Sequence, residues 1–378
     1  MASVAVFGAG DVGEQVLRTL AVRPEIDRLI AFDLNEDRLA SIAANVRAMA
    51  DLLGYTVAVE DRTLDMSDEE SIAACLEGVA PDAIVNTATL QSWWAITQLP
   101  AGTWRKLEEG ARFGPWLPLH LALTMKLMRA VDAAGIAAPV VNVAFPDAVN
   151  PVLARQGLAP ACGAGNSEML WTGARVAAAR ALGVPADSVT VRMVAHHFHV
   201  VFFWAGLESV ESLDDYPFIL QVQVDGGDVT AQLDARRLFV EAGRAVPKGR
   251  QVALQTAASA AKNVIRLLDA TSRLTHVAAP SGLIGGYDAV AGASGIDVTL
   301  PDGIRLQEAQ ALNERAQRGD GIERIDSNGV VTFTDSAAET MREVLGYDCR
   351  TLHPDETEAR ADELRRRLRE LISAQSAA

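Results

Sequence analysis

Short apolar runs and helical periodicities alternate through the first 150 residues. Val4-Ala5-Val6-Phe7 is continuously apolar and predicts a buried strand, after which Val12, Val16 and Leu20 recur at helical spacing. Leu29-Ile30-Ala31-Phe32 predicts a second strand, with a helix over 37–53 behind it. Further strands are predicted at 55–59 and at Ala83-Ile84-Val85. A Trp-rich stretch then leads into a helix over 119–134 and a strand at Pro139-Val140-Val141-Asn142-Val143. Strands that alternate with helices pair in parallel, each crossover packing back on the sheet in the right-handed sense.

Beyond Pro151 the pattern changes. A helix is expected over 167–182, followed by one long strand-like run, 188–204. Strands at 218–224 and 229–233 flank Asp225-Gly226-Gly227-Asp228, a hairpin signal. A helix over 251–270, Gly- and Pro-punctuated strands over 278–300 and a helix over 306–318 come next. Ser327-Asn328-Gly329 reads as a hairpin tip, and a charged helix over 356–372 closes the chain. The expected fold is α/β: an N-terminal Rossmann parallel sheet over 1–150, then an α+β domain over 151–378 for substrate and oligomerisation.

Composition narrows the partners. The formal net charge of −15 repels phosphate backbones and anionic lipid, so neither nucleic acid nor membrane is an expected partner. No apolar run reaches the roughly 18–20 residues that span a bilayer. The opening Met1-Ala2-Ser3-Val4 has no basic region followed by an apolar stretch, so no signal peptide is expected. Three scattered cysteines, Cys75, Cys162 and Cys349, make neither a disulfide framework nor a Cys-based zinc site. A cytoplasmic, reducing home follows.

Gly8-Ala9-Gly10-Asp11-Val12-Gly13 follows a predicted strand and opens a predicted helix. In that context the first glycine makes a tight turn and the second lets backbone N–H groups approach a diphosphate. The third allows the helix to pack closely on the strand, and the helix N-terminus faces the negative charge. Asp33 ends the second strand, where an acid binds the ribose hydroxyls of NAD and repels the 2′-phosphate of NADP. Asn86, Thr87 and Ala88 leave the fourth strand at the edge where ligands sit in open α/β sheets. NAD is the expected cofactor.

Half of the six histidines fall within Ala195-His196-His197-Phe198-His199. Histidine suits proton transfer near neutral pH, and on a strand His197 and His199 would share one face with His196 on the other. Two histidines at i and i+2 with Cys162 or Glu168 match no standard zinc pattern, so no metal is expected. Arg105, Lys106 and Arg112 lie where a closing loop would sit and could clamp an anionic substrate, Arg112 foremost. Trp93, Trp94, Trp104 and Trp116 share that stretch and suit either a core or a ring-stacking wall.

This order of landmarks resembles the lactate/malate dehydrogenase superfamily, including its NAD-using branch, glycoside hydrolase family 4. The resemblance covers roughly residues 4–318. Val141-Asn142-Val143-Ala144-Phe145-Pro146-Asp147 is similar to the strand and loop carrying an Asn-Pro pair, with Phe145 where the superfamily has asparagine. Gly163-Ala164-Gly165-Asn166-Ser167-Glu168 is similar to the segment whose acid orients the catalytic histidine, although no Leu-Asp-x-x-Arg element stands there. Gly165 occupies the place of the glycosidase branch's cysteine. The resemblance implies that His197 is the base, with His199 beside it, that Glu168 is the acid holding it, and that the protein is a homo-oligomer, dimer or tetramer. The function expected is NAD-dependent hydride transfer on a small hydroxy or keto substrate. Two alternatives stand beside it: a redox-assisted glycosidase or lyase with tightly bound NAD, and a non-enzymatic NAD-binding regulator.

Overall fold

The computed structural model describes residues 2–97, 99–209 and 211–376. The first half runs β1 (Ala2–Phe7), α1 (Asp11–Ala21), β2 (Ile26–Asp33), α2 (Glu36–Leu52), β3 (Ala58–Thr63), α3 (Glu69–Val79) and β4 (Ala83–Asn86). Short helices α4 (Trp93–Ile96) and α5 (Ala101–Lys106) and a π-turn, Leu107–Ala111, precede α6 (Leu117–Ala133). Then come β5 (Val140–Asn142), α7 (Pro146–Arg155) and β6 (Cys162–Gly163). The six strands pair in parallel in the order β3-β2-β1-β4-β5-β6. Phe7 is level with both Phe32 and Asn86, so the carboxyl ends of β1, β2 and β4 form one edge. Val4 to Phe7 are fully buried, as strands covered by helices on both faces must be.

The second half comprises α8 (Ser167–Leu182), β7 (Val189–Ala195), α9 (His197–Trp204), β8 (Ile219–Val224), β9 (Gly227–Asp228), α10 (Ala235–Ala245) and α11 (Val252–Leu268). It continues with β10 (Arg273–Ala278), β11 (Gly286–Gly292), β12 (Gly295–Val298) and α12 (Leu306–Ala316). Its antiparallel strands extend the parallel sheet to twelve, with β10 joining β6 through Ala278 and Gly163. The protein is thus an α/β fold with a Rossmann sheet followed by an α+β half, and α7 runs across residue 150. No described helix is long and apolar enough to cross a membrane.

The run 188–204 is not one strand. It breaks at His196, the strand before and the helix α9 after. The segment His197-Phe198-His199-Val200-Val201-Phe202-Phe203-Trp204 is apolar on nearly every side, so its pattern has no period to distinguish buried helix from buried strand. The His196 imidazole settles it locally by accepting the Phe198 N–H at the helix start, while His199 Nδ1 accepts the His196 N–H.

The last sixty residues fold back on the first half. β13 (Ile322–Ile325), β14 (Val331–Phe333) and β15 (Thr351–Leu352) make a small antiparallel sheet, flanked by α13 (Asp335–Leu345) and α14 (Thr357–Ser376). Phe333, Met341, Leu364 and Leu368 share one core with Trp116, Leu119 and Leu127 of the segment after β4. The chain approaches so closely that a Cβ on Gly114 would stand 2.7 Å from the Asp320 carbonyl oxygen, and one on Gly110 would strike Thr340.

Candidate active site

Each glycine of the β1–α1 turn has its own reason. Gly8 takes φ +88°, and a Cβ there would stand 2.7 Å from the Ala88 nitrogen. A Cβ on Gly13 would lie 1.8 Å from the Gly8 carbonyl oxygen, so helix and strand can pack only with glycine there. Gly10 differs, since a Cβ there would meet no protein atom within 4 Å. Gly10 also begins α1 with no side-chain cap, so the N–H groups of the first turn are free for an anion. That space, bounded by backbone donors, fits the diphosphate of a dinucleotide.

Asp33 is fixed against this turn. Its carboxylate accepts the N–H of Ala9 at 2.7 Å and of Asn35 at 3.0 Å, which holds the acid at the cavity rim. Thr87 Oγ1 donates to the Gly8 carbonyl at 2.6 Å and so locks the turn from β4. Gly8, Gly10, Asp11, Val12, Asp33, Thr87 and Ala88 all line one cavity of about 780 Å³. Gly13 and Asn86 do not. Asn86 is fully buried, donating to Thr124 and Asn142, while Asn142 donates to Asn150. That chain of amides fixes the ends of β4 and β5, and Asn86 touches the cavity lining through the N–H groups of Ala88 and Val143 that it accepts.

The same cavity extends to His197. The His197 Nδ1 lies 2.7 Å from Asp320 Oδ2, and the Asp147 carboxylate accepts the His197 N–H at 3.2 Å. An ionised carboxylate can only accept, so Nδ1 carries the proton and Nε2 is left to the cavity. Burial lowers the basicity of His197, but the adjacent Asp320 and then Asp147 outweigh it and hold the group above its ordinary 6.5.

Several expected site residues stand elsewhere. His199 is fully buried and off the cavity, hydrogen-bonded to the His196 N–H and the Tyr216 carbonyl, with burial pushing it down to about 4. The shared face assumed for His197 and His199 required a strand. On a helix, residues two apart point some 200° from each other. His196 accepts from Phe198 and burial lowers its pKa, so its 3.5 Å approach to Asp320 is no ion pair. Glu168 does not approach His197. It accepts from Ser259 Oγ at 2.5 Å and pairs with Lys262 at 2.6 Å, because the first turn of α8 turns it toward α11. The carboxylate expected of Glu168 is supplied by Asp320, from the opposite end of the chain. Arg112 does line the cavity, paired with Glu211 and with its Nη1 buried and without a protein partner. Arg105 and Lys106 are exposed and off the cavity.

Four residues of the site carried no sequence-level role: Asp320, Asp147, His120 and Asn166. Asp320 had a signal, a carboxylate between two glycines at a helix end. A Cβ on Gly319 would meet the Phe198 ring at 2.3 Å, and Gly321 takes φ +82°. His120 lines the cavity from α6, driven down to about 3 by burial and the nearby His197, with its Nδ1 unpartnered. A single histidine in an apolar helix gives no warning of such a position. Asn166, at φ +55°, donates to Asp147 and completes the lining around His197.

Solved structures share this architecture. The malate dehydrogenase of Plasmodium falciparum in complex with NADH is 15% identical, with a TM-score of 0.56 over 84% of this chain and 98% of that one. The lactate dehydrogenase of Eimeria maxima with NADH and oxamate is 13% identical, at 0.58 over 84% and 91%. The malate dehydrogenase of Cryptosporidium parvum is 16% identical, at 0.58 over 84% and 98%. The fold is that of the lactate and malate dehydrogenases. At the level of sequence, no family model and no curated protein matches the chain.

Proposed function

We propose that this protein is an NAD-dependent oxidoreductase that moves a hydride between the nicotinamide and a hydroxy or keto substrate, with His197 as the proton-transfer group. The observation that carries the reading is a single cavity with a diphosphate cradle and Asp33 at one end and the His197–Asp320 pair at the other. Backbone N–H groups of the Gly8–Gly13 turn would hold the diphosphate, and Asp33 the adenosine ribose. NAD, when bound, supplies the hydride acceptor.

His197 Nε2 takes the hydroxyl proton as the carbon–oxygen double bond forms, and returns it in the reverse direction. Asp320 keeps Nδ1 protonated and stabilises the imidazolium that results. Arg112 Nη1 and His120 Nδ1 are buried polar atoms of the cavity lining without a protein partner, and can hydrogen-bond a substrate oxygen. The reading brings with it the cytoplasmic home and the homodimeric or tetrameric assembly that the sequence suggests. Sedimentation as a monomer at micromolar concentration would refute that assembly.

Calorimetry with NAD and NADP tests the cofactor assignment. NAD should bind far better, and Asp33→Ala should narrow the gap by removing the repulsion of the 2′-phosphate. Equal affinity for both cofactors in the wild type would sink it. His197→Asn should lower kcat by at least about a hundredfold with NAD affinity kept, the usual scale for a general base.

A further inference from the structure

Beside His197 the cavity wall is aromatic. The Phe113 and Phe145 ring centroids lie 4.9 and 5.1 Å from the imidazole, and 4.5 Å from each other, edge to face. Trp93 lies 4.4 Å from Phe113 in a tilted arrangement, and Trp104 meets Trp93 edge to face at 5.5 Å. All four line the cavity, whereas Trp116 is fully buried in the core. Phe145 also belongs to that core and Phe113, Trp93 and Trp104 pack on it, so the four rings form the face that the core turns to the cavity.

Backbone strain points the same way. Phe145 adopts φ +46° and ψ +57°, a left-handed conformation unusual for a bulky side chain, at the start of α7. Such strain persists where surrounding structure over-determines it and is concentrated at functional sites. Here it brings an aromatic ring against the proton-transfer group.

The charges complete the picture. Four guanidiniums line the cavity, and each already has a carboxylate: Arg38 and Arg250 share Asp11, Arg112 has Glu211, and Arg365 has Asp362. Glu108 adds a further acid to the lining. Among the described residues no lining guanidinium is without a carboxylate partner, and Arg112 Nη1 with His120 Nδ1 remains for one oxygen-bearing group.

We propose, resting on the hydride-transfer reading, that Phe113, Phe145, Trp93 and Trp104 select substrates whose reacting carbon carries a bulky aromatic substituent. The substituent lies along the Phe113–Trp93 wall, while the hydroxyl or carbonyl oxygen meets His197. Edge-to-face walls of this kind receive a planar ring through offset or edge contacts. A methyl group leaves them in contact with water instead.

Matched pairs test this with the full chain and NAD: 3-phenyllactate against lactate, and 1-phenylethanol against 2-propanol, with sorbitol as a polyol. The phenyl member of a pair should have kcat/KM at least about thirtyfold higher, within the range a hydrophobic pocket gives for added apolar bulk. Calorimetry on the NADH-loaded protein gives a readout free of turnover, in which phenylpyruvate or acetophenone should bind and pyruvate or acetone should bind at least tenfold more weakly. Phe113→Leu, and Phe145→Leu in parallel should the first not fold, should erode that preference. The inference is overturned if the methyl members or sorbitol are preferred, or if neither phenyl ketone binds. NAD reduction by a small compound at least as efficient as by its phenyl partner would keep the hydride-transfer reading while removing this one, and failure to bind NAD would remove both.

Discussion

Replacing Asp320 by Asn removes one charge from a contact that is sealed from water. Asp320 is fully buried and 2.7 Å from His197 Nδ1, so the hydrogen bond is charge-assisted and unscreened. Such a bond contributes about 1.5–3 kcal/mol. At about 1.4 kcal/mol per decade, losing it from the imidazolium-like transition state slows turnover about 10- to 150-fold. A second effect adds to this. The new amide can present its NH2 to Nδ1, which favours the tautomer with the proton on Nε2, where it cannot act as a base. The sign of the pH effect follows from the causes of the His197 shift. Asp320 holds the wild-type group above 6.5 against burial, so oxidation of a hydroxyl, which needs neutral His197, should rise with pH through a midpoint above 6.5. In Asp320→Asn, burial is opposed by Asp147 alone and the midpoint moves to lower pH. NMR titration of the imidazole reads this directly without a substrate, and NAD affinity by calorimetry should stay unchanged. A midpoint that stays in place or rises in the variant would refute the reasoning.

The glycine turn allows a paired test: Gly10→Ala has room in the protein and should keep the thermal midpoint while weakening NAD at least tenfold. Gly13→Ala, with its Cβ 1.8 Å from the Gly8 carbonyl oxygen, should lower the thermal midpoint as well. Equal, unimpaired NAD binding in Gly10→Ala would show that the diphosphate does not sit there. Burial depresses His199 to about 4 and His120 to about 3, so their stabilising effect is complete above 6.5 and is lost as pH falls toward those values. At pH 5 the loss is about 2 kcal/mol per group, and His199→Gln should flatten the fall in urea midpoint between pH 7.5 and 5. An unchanged slope would contradict it. Glu168→Gln should lower stability through its contacts with Lys262 and Ser259 yet leave the His197 titration where it was. A shifted titration would restore Glu168 as the orienting acid.

The first half of the site was legible because its determinants are local. A strand, three glycines, a helix and an acid follow one another within thirty residues, and backbone sterics with helix polarity force them into a single arrangement. The alternation of strands with helices likewise fixed which ends of β1, β2 and β4 meet. The other end of the cavity was legible only as far as His197. The run after Ala195 is apolar on all sides, so its pattern could not say that a helix begins at His197, and with the wrong period His199 was assigned the wrong face. Glu168 heads the helix that precedes the histidine run, but the first turn of α8 directs it to α11. Asp320 lies 123 residues from His197. It arrives there because the final sixty residues bury Phe333, Leu364 and Leu368 against the segment following β4, and Gly319 and Gly321 let the chain press against Phe198 and Ala111. Nearest-neighbour chemistry is written in the sequence; a long-range pairing depends on the summed burial of surfaces from both ends of the chain, and only the tertiary structure performs that sum.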